Sequence, residues 1–258
     1  MDMNWPQKTP AWITAAFMIC HCLYAQSGIW PAQGLRQNTP STVTVRELRH
    51  VVPREAHAEM EKADRAILRH QSEEAIDHLK KAVLIDPEYV AARNNLGVYL
   101  LPVEPIAAIA QWEEAIKVNP RKGVLFSNLA IGYAVIHNLE AAERAARTSM
   151  ELDRTSEQAR AVLGVVLYQE HKYTVETFAL LERASSEYPM MFMFAAKLLV
   201  ERGDFRKARA HVQAYLSSRH DEYREDASQL LDLIDRTGVL DSPAARAPQV
   251  RRAEDGGE

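Results

Sequence analysis

The chain has 258 residues, 47% hydrophobic and 26% charged, with only ten glycines and twelve prolines; that is enough apolar material for an ordered body and too little flexible material for a wholly disordered one. Its formal net charge of -4 lacks the basic footprint that nucleic acid demands, so no nucleic-acid partner is expected.

The chain opens with an apolar run, Ala11-Trp12-Ile13-Thr14-Ala15-Ala16-Phe17-Met18-Ile19-Cys20-His21-Cys22-Leu23-Tyr24-Ala25, which follows Lys8 and gives way to Gln26-Ser27-Gly28. This is the plan of a secretory signal peptide, residues 1–25, with cleavage expected after the small residue Ala25. The run falls short of the ~20 apolar residues a bilayer span needs. A mature protein that is periplasmic or secreted is expected, touching a membrane only if the N-terminal segment stays uncleaved. Cys20 and Cys22 both lie in this run, so the mature chain is expected to hold no thiol for a disulfide, a metal or a nucleophile. Residues 26–53 read as a linker, with Pro31, Gly34, Pro40 and a short alternating Thr42-Val43-Thr44-Val45.

From Pro53 the apolar pattern turns helical, and it repeats. Small residues inside successive first helices fall at Ala63, Gly97, Ala130, Gly164 and Ala196, which by subtraction are steps of 34, 33, 34 and 32. A second series in phase with it, Ala82, Ala115, Ser149, Ala184 and Tyr215, steps by 33, 34, 35 and 31. Two series with one period imply stacked helical hairpins. Gly97 with Ala108, Ala130 with Ala142, and Ala196 with Ala208 are small where paired helices approach, while Leu96, Leu129, Leu163, Trp112 and Leu181 fill the space between. Pro87, Pro120 and Pro189 are expected to stop second helices, helped by the turn formers Asp86 and Asn119. Leu101-Pro102-Val103-Glu104-Pro105 puts two prolines in a turn and is expected to shorten the helix before it. Arg154 in place of a proline, and Glu176-Thr177 in place of alanine, predict looser packing in the third and fourth units. The first unit lacks large aromatics, which suits an N-terminal cap.

Asn95-Leu96-Gly97 with Trp112, Ala115 and Pro120, and Asn128-Leu129-Ala130 with Tyr133 and Ala142, resemble the tetratricopeptide repeat family over roughly residues 54 to 222. The resemblance implies an all-α, right-handed α-solenoid of about five such hairpins, followed by a capping helix read over Asp221–Ile234. The solenoid is assigned to residues 54–236 and a disordered tail to residues 237–258.

The resemblance also implies a concave groove made by the first helices. Its family positions fall on Met60 and Asp64; Asn94, Val98 and Leu101; Ser127, Ile131 and Ala134; Ala161, Val165 and Tyr168; Met193, Lys197 and Val200. Asn94, Asn95, Val98, Asn128, Ile131, Tyr168, Met193 and Lys197 are the expected ligand-binding residues, with a protein or peptide as the partner. Asn95 and Asn128 suit either a clamp on a ligand's backbone or bonding between neighbouring helices. Relatives that grip acidic C-terminal tails use lysines with asparagines. Here Met60, Asp64 and Val124 stand beside Asn95 and Asn128, so that ligand is not expected. No His-Glu-x-x-His, phosphate-binding glycine loop or Gly-x-Ser-x-Gly occurs, and His70, His137 and His171 sit near hairpin turns. No enzyme activity, cofactor or metal is expected. The function implied is an exported, non-enzymatic adaptor, or else a self-associating or membrane-tethered structural component.

Overall fold

A computed structural model describes residues 50–218 and 223–240; the expected signal peptide, nearly all of the linker and most of the tail lie outside these residues. The described residues form eleven α-helices and no strand. They are α1 Arg54–Leu68, α2 Ser72–Ile85, α3 Val90–Leu100, α4 Pro105–Val118, α5 Gly123–Val135, α6 Leu139–Leu152, α7 Glu157–Gln169, α8 Val175–Ala184, α9 Met191–Glu201, α10 Phe205–Ser217 and α11 Arg224–Leu240. The chain divides into two compact units, one running to Met191 and one beginning at Phe192.

In the first unit the helices pair as hairpins α1/α2, α3/α4, α5/α6 and α7/α8. α2, α4 and α6 also pack on the next first helices α3, α5 and α7, and α5 touches α7 directly. The small residues of the sequence pattern make this approach possible. A Cβ on Gly97 would lie 2.6 Å from the indole of Trp112, and one on Gly132 would lie 2.9 Å from the same ring and 2.8 Å from Ile109. Trp112 is therefore held between bare stretches of α3 and α5, with no exposed surface. Its Nε1 donates to the Asn94 carbonyl at 3.2 Å, which satisfies the buried indole.

Most of the joints follow one of two patterns. Where a first helix ends, the chain steps through the left-handed region at His70, His137 and His171, with φ of 59°, 61° and 56°. At each, the following amide reaches back across the last turn, as in Gln71 N–H to the Ala66 carbonyl at 2.9 Å and Asn138 N–H to that of Tyr133 at 2.8 Å. Where a second helix ends, a short polar side chain caps the next turn. Asp86 accepts from the Glu88 amide at 3.1 Å, Asn119 from that of Arg121 at 3.2 Å, and Asp153 from that of Thr155 at 2.9 Å. Asp153 thus makes the turn that the missing proline at Arg154 was expected to weaken. Buried Arg160 reinforces it, donating to the Arg154 and Thr155 carbonyls and to Glu157.

Several expectations are refined. α3 has 11 residues against 13 in α5 and α7, as the two-proline turn predicts. Pro189 does not stop α8, which ends at Ala184, where the Ser185 hydroxyl turns back to the Glu182 carbonyl at 2.6 Å. Thr177, where alanine was expected, is fully buried because its hydroxyl is held by the Lys172 carbonyl.

In the second unit α10 packs on α11. The Phe192 and His211 rings meet at 5.7 Å, linking α9 to α10, and Gly203 turns the chain between them at φ 76°. Ala196, Ala208, Val212 and Tyr215 are buried, as are Ala227, Leu230 and Ile234 along one side of α11. That helix continues through Gly238 to Leu240, past the point where the sequence suggested that the tail begins.

Candidate functional site

The first helices α1, α3, α5 and α7 of the first unit carry most of the residues expected to bind a ligand. Asn94 and Asn95 lie midway along α3, and Asn128 lies on α5. Their carboxamides form a chain of bonds: Gln158 Nε2 at the start of α7 donates to Asn128 Oδ1 at 3.3 Å, Asn128 Nδ2 donates to Asn94 Oδ1 at 2.9 Å, and Asn94 Nδ2 donates to Asn95 Oδ1 at 3.4 Å. Amides from three consecutive first helices are thus joined in one line. Asn95 and Asn128 are buried, and Asn94 is only half-buried. The arrangement accords with the helix-to-helix alternative for these asparagines, and leaves Asn94 as the asparagine of the line with access to solvent.

Many of the expected groove positions are closed. Ile131, Ala161 and Val165 have no exposed surface, and Ser127, Ala134 and Leu101 have almost none. Ser127, Ile131 and Ala134 on α5 and Ala161 and Val165 on α7 belong to two helices that pack directly on one another. Ser127 is also committed, its hydroxyl lying 2.7 Å from that of Ser149, which donates to the Gly123 carbonyl at 2.8 Å. In the second unit Met193 and Val200 are buried as well. Ile131 and Met193 are therefore each closed within their own unit. Part-exposed side chains remain at Asp64, Asn94, Val98, Val124, Gln158 and Tyr168 in the first unit, and at Lys197 in the second. Burial pushes the Lys197 ammonium below its ordinary value, against the opposing charge of Asp226.

Tyr168 does not stand alone. Its ring lies 5.4 Å from that of Tyr173, which meets His171 edge-on at 5.7 Å and places its hydroxyl 2.7 Å from His171 Nδ1. Beside this aromatic group runs a charged network. Lys172 reaches Glu143 at 2.6 Å and Glu170 at 3.2 Å, while Arg147 bonds Glu143 and grips Glu176 with both terminal nitrogens. The Lys172 bond holds the Glu143 carboxyl below the usual range, whereas burial pushes that of Glu170 up. Sequence reading put Tyr168 in the groove and His171 near a hairpin turn but did not join them into either group, because the members come from three helices and a turn.

Among the described residues no cluster of three or more His, Cys, Asp or Glu could hold a metal ion, and no helix is long and apolar enough to cross a membrane.

The fold and its first-helix wall define a stack of TPR-like helical hairpins, an all-α solenoid architecture. No family model matches the chain, and no curated protein matches it. Solved structures do. TTC0263, a thermophilic TPR protein of Thermus thermophilus, superposes with a TM-score of 0.58 at 14% identity, over 68% of this chain and 98% of that one. PilF of Pseudomonas aeruginosa gives 0.58 at 18% identity over 71% and 90%, and MamA of Desulfovibrio magneticus RS-1 gives 0.57 at 14% over 64% and 96%. At these identities the likeness is one of fold.

Proposed function

We propose that this chain is an exported, non-enzymatic interaction scaffold that holds a peptide or helix of a partner protein along the first-helix wall of its first unit. The observation that carries the reading is the line of part-exposed side chains, Asn94, Val98 and Tyr168 among them, on helices whose other inward positions are closed. A rigid, mostly satisfied wall with a few open polar and aromatic positions suits a segment that lays its own apolar residues between them. The apolar run Ala11–Ala25 supports export to the periplasm or beyond. Photo-crosslinking in the native host tests this, with the probe at Val98 or Tyr168 and a control at exposed Glu140 on α6. One discrete partner captured from the first-helix positions alone is expected; capture only from Glu140 would overturn the wall assignment.

Self-association is a second reading, favoured by aliphatic side chains standing in solvent: Leu68 is 67% exposed, Val103 66%, Ile106 73% and Val175 78%. Light scattering of the purified protein and of Ile106→Lys separates the two readings. A multimer that the lysine disperses supports self-association, and a monomer removes it. Intact mass of the mature protein shows whether residues 1–25 are retained as a membrane tether.

A further inference from the structure

Aliphatic side chains stand in solvent at one place in every hairpin of the first unit. Leu68 ends α1, Val103 lies in the turn into α4 with Ile106 just after it, Ile136 follows α5, and Val175 opens α8. All five lie where a first helix passes into its second. The other large exposed aliphatics among the described residues, Val51, Leu84 and Ile85, sit at the far end of the first hairpin.

The four turns adjoin one another. Each second helix runs away from its turn and the next first helix runs toward the following one. Where α2 packs on α3, α4 on α5 and α6 on α7, the start of one helix therefore lies beside the end of the other. Two contacts bear this out. Ile109, one turn beyond Ile106, would lie 2.8 Å from a Cβ on Gly132, one turn before Ile136. Lys172, in the turn before Val175, reaches Glu143 near the start of α6 at 2.6 Å. The five side chains thus form a row across four hairpins, about 30 Å long at roughly 8–10 Å per helix layer. On hairpin ends about 20 Å across, such a row occupies on the order of 600 Å², which approaches the roughly 800 Å² per partner of a specific interface.

We propose that this turn edge is a homodimer interface in which two copies lie with their rows opposed, the first turn of each meeting the fourth of the other and the second meeting the third. The inference rests on the self-association reading above and gives it a surface and a register. Opposed rows match Leu68 with Val175, and Val103 and Ile106 with Ile136, so every exposed aliphatic of the edge meets another across a two-fold axis. Charge selects this direction over parallel rows. The second turn carries a single charge, exposed Glu104, which makes no ion pair among the described residues. Parallel rows would set Glu104 against its own copy, whereas opposed rows set it against the third turn, where His137 and the Glu140–Arg144 pair stand. At the ends, opposed rows bring exposed Arg69 and Glu73 of the first turn to Glu176 and Lys172 of the fourth, one charge of each sign on either side. Asn94 lies midway along α3, back from the turn, so two copies joined at this edge keep it open for a ligand in each.

The test is pairwise thiol capture. In the full chain, with Cys20→Ser and Cys22→Ser so that no other thiol is present, single substitutions Leu68→Cys, Ile106→Cys, Ile136→Cys and Val175→Cys are made, with Leu84→Cys as a control away from the edge. All five positions are exposed, so the melting temperatures should stay close to that of the parent. The variants carry tags of two sizes and are mixed in pairs under a mild oxidant; a disulfide forms only where Cα atoms come within about 7 Å. Leu68→Cys with Val175→Cys, and Ile106→Cys with Ile136→Cys, are expected to give mixed disulfide dimers. Each variant alone, or mixed with Leu84→Cys, is expected to give none, and the unaltered protein should scatter light with twice the mass of one chain. Self-linked dimers of the single variants, the mark of parallel rows, would overturn this interface and leave self-association standing. A doubled mass with no link at any of the four turn positions would do the same. A monomer in light scattering removes both.

Discussion

Gly97 and Trp112 occupy one another's space: a Cβ on Gly97 would lie 2.6 Å from both Nε1 and Cε2 of the indole. The glycine is therefore a packing requirement of the α3/α4 hairpin. Gly97→Ala is expected to lower stability by about 1–3 kcal/mol through overpacking, read as a fall in the urea midpoint at constant slope. Combined with Trp112→Leu, the alanine should cost less than it does alone. Additive losses would mean that the two residues do not compete.

The left-handed positions make an opposite pair of predictions. His70 adopts φ 59° where a side chain is strained, and Gly203 adopts φ 76° at the equivalent joint, with open space where a Cβ would be. His70→Gly should stabilise by up to about 1 kcal/mol, the relief of strain exceeding the added freedom of the unfolded chain. Gly203→Ala should destabilise by about 1 kcal/mol. Thermal melts of the two variants check this, and shifts of the same sign would refute it.

Glu59 sets an acid limb. Hydrogen bonds from Lys62 and His78 bring its carboxyl from an ordinary 4.5 down to about 2. Because the folded value is depressed, the stability it contributes is fully present above 4.5 and is lost as pH falls from there to about 2. Glu59→Gln should therefore melt below the unaltered protein near neutral pH, and the gap should close as pH falls through that window. A gap independent of pH would assign the effect to packing.

The amide line predicts a structural cost at Asn128. Asn128→Ala removes the link between Gln158 and Asn94 and leaves partly buried amide groups without their partners. A loss of about 1–3 kcal/mol is expected from chemical denaturation. A variant as stable as the parent would show that the line contributes little to folding and would return these asparagines to the ligand.

The architecture was legible because its signals are local and repeated. Gly97 and Gly164 mark close approaches, Asp86 and Asn119 mark joints, and their recurrence fixes the hairpins. What was not legible depended on distances between repeats. Ile131 occupies a family groove position, but whether it faces an opening depends on how closely α5 approaches α7, a distance between repeats that no single repeat's residues reveal. Likewise Asn128 reads identically as a clamp or a tie until Gln158 and Asn94 are seen to meet it. Met193, expected from its family position to bind a ligand, is interior, a distinction that turns on three-dimensional neighbours rather than residue type.

The turn-capping side chains Asp86, Asn119 and Asp153 each accept from a backbone amide two residues on, and they recur at intervals of 33 and 34 residues by subtraction. A gene segment cut between matching points of two such joints encodes a block whose severed ends are chemically alike. Unequal recombination there could remove or duplicate a hairpin while preserving the local turn chemistry, giving this architecture a ready route to variation in length.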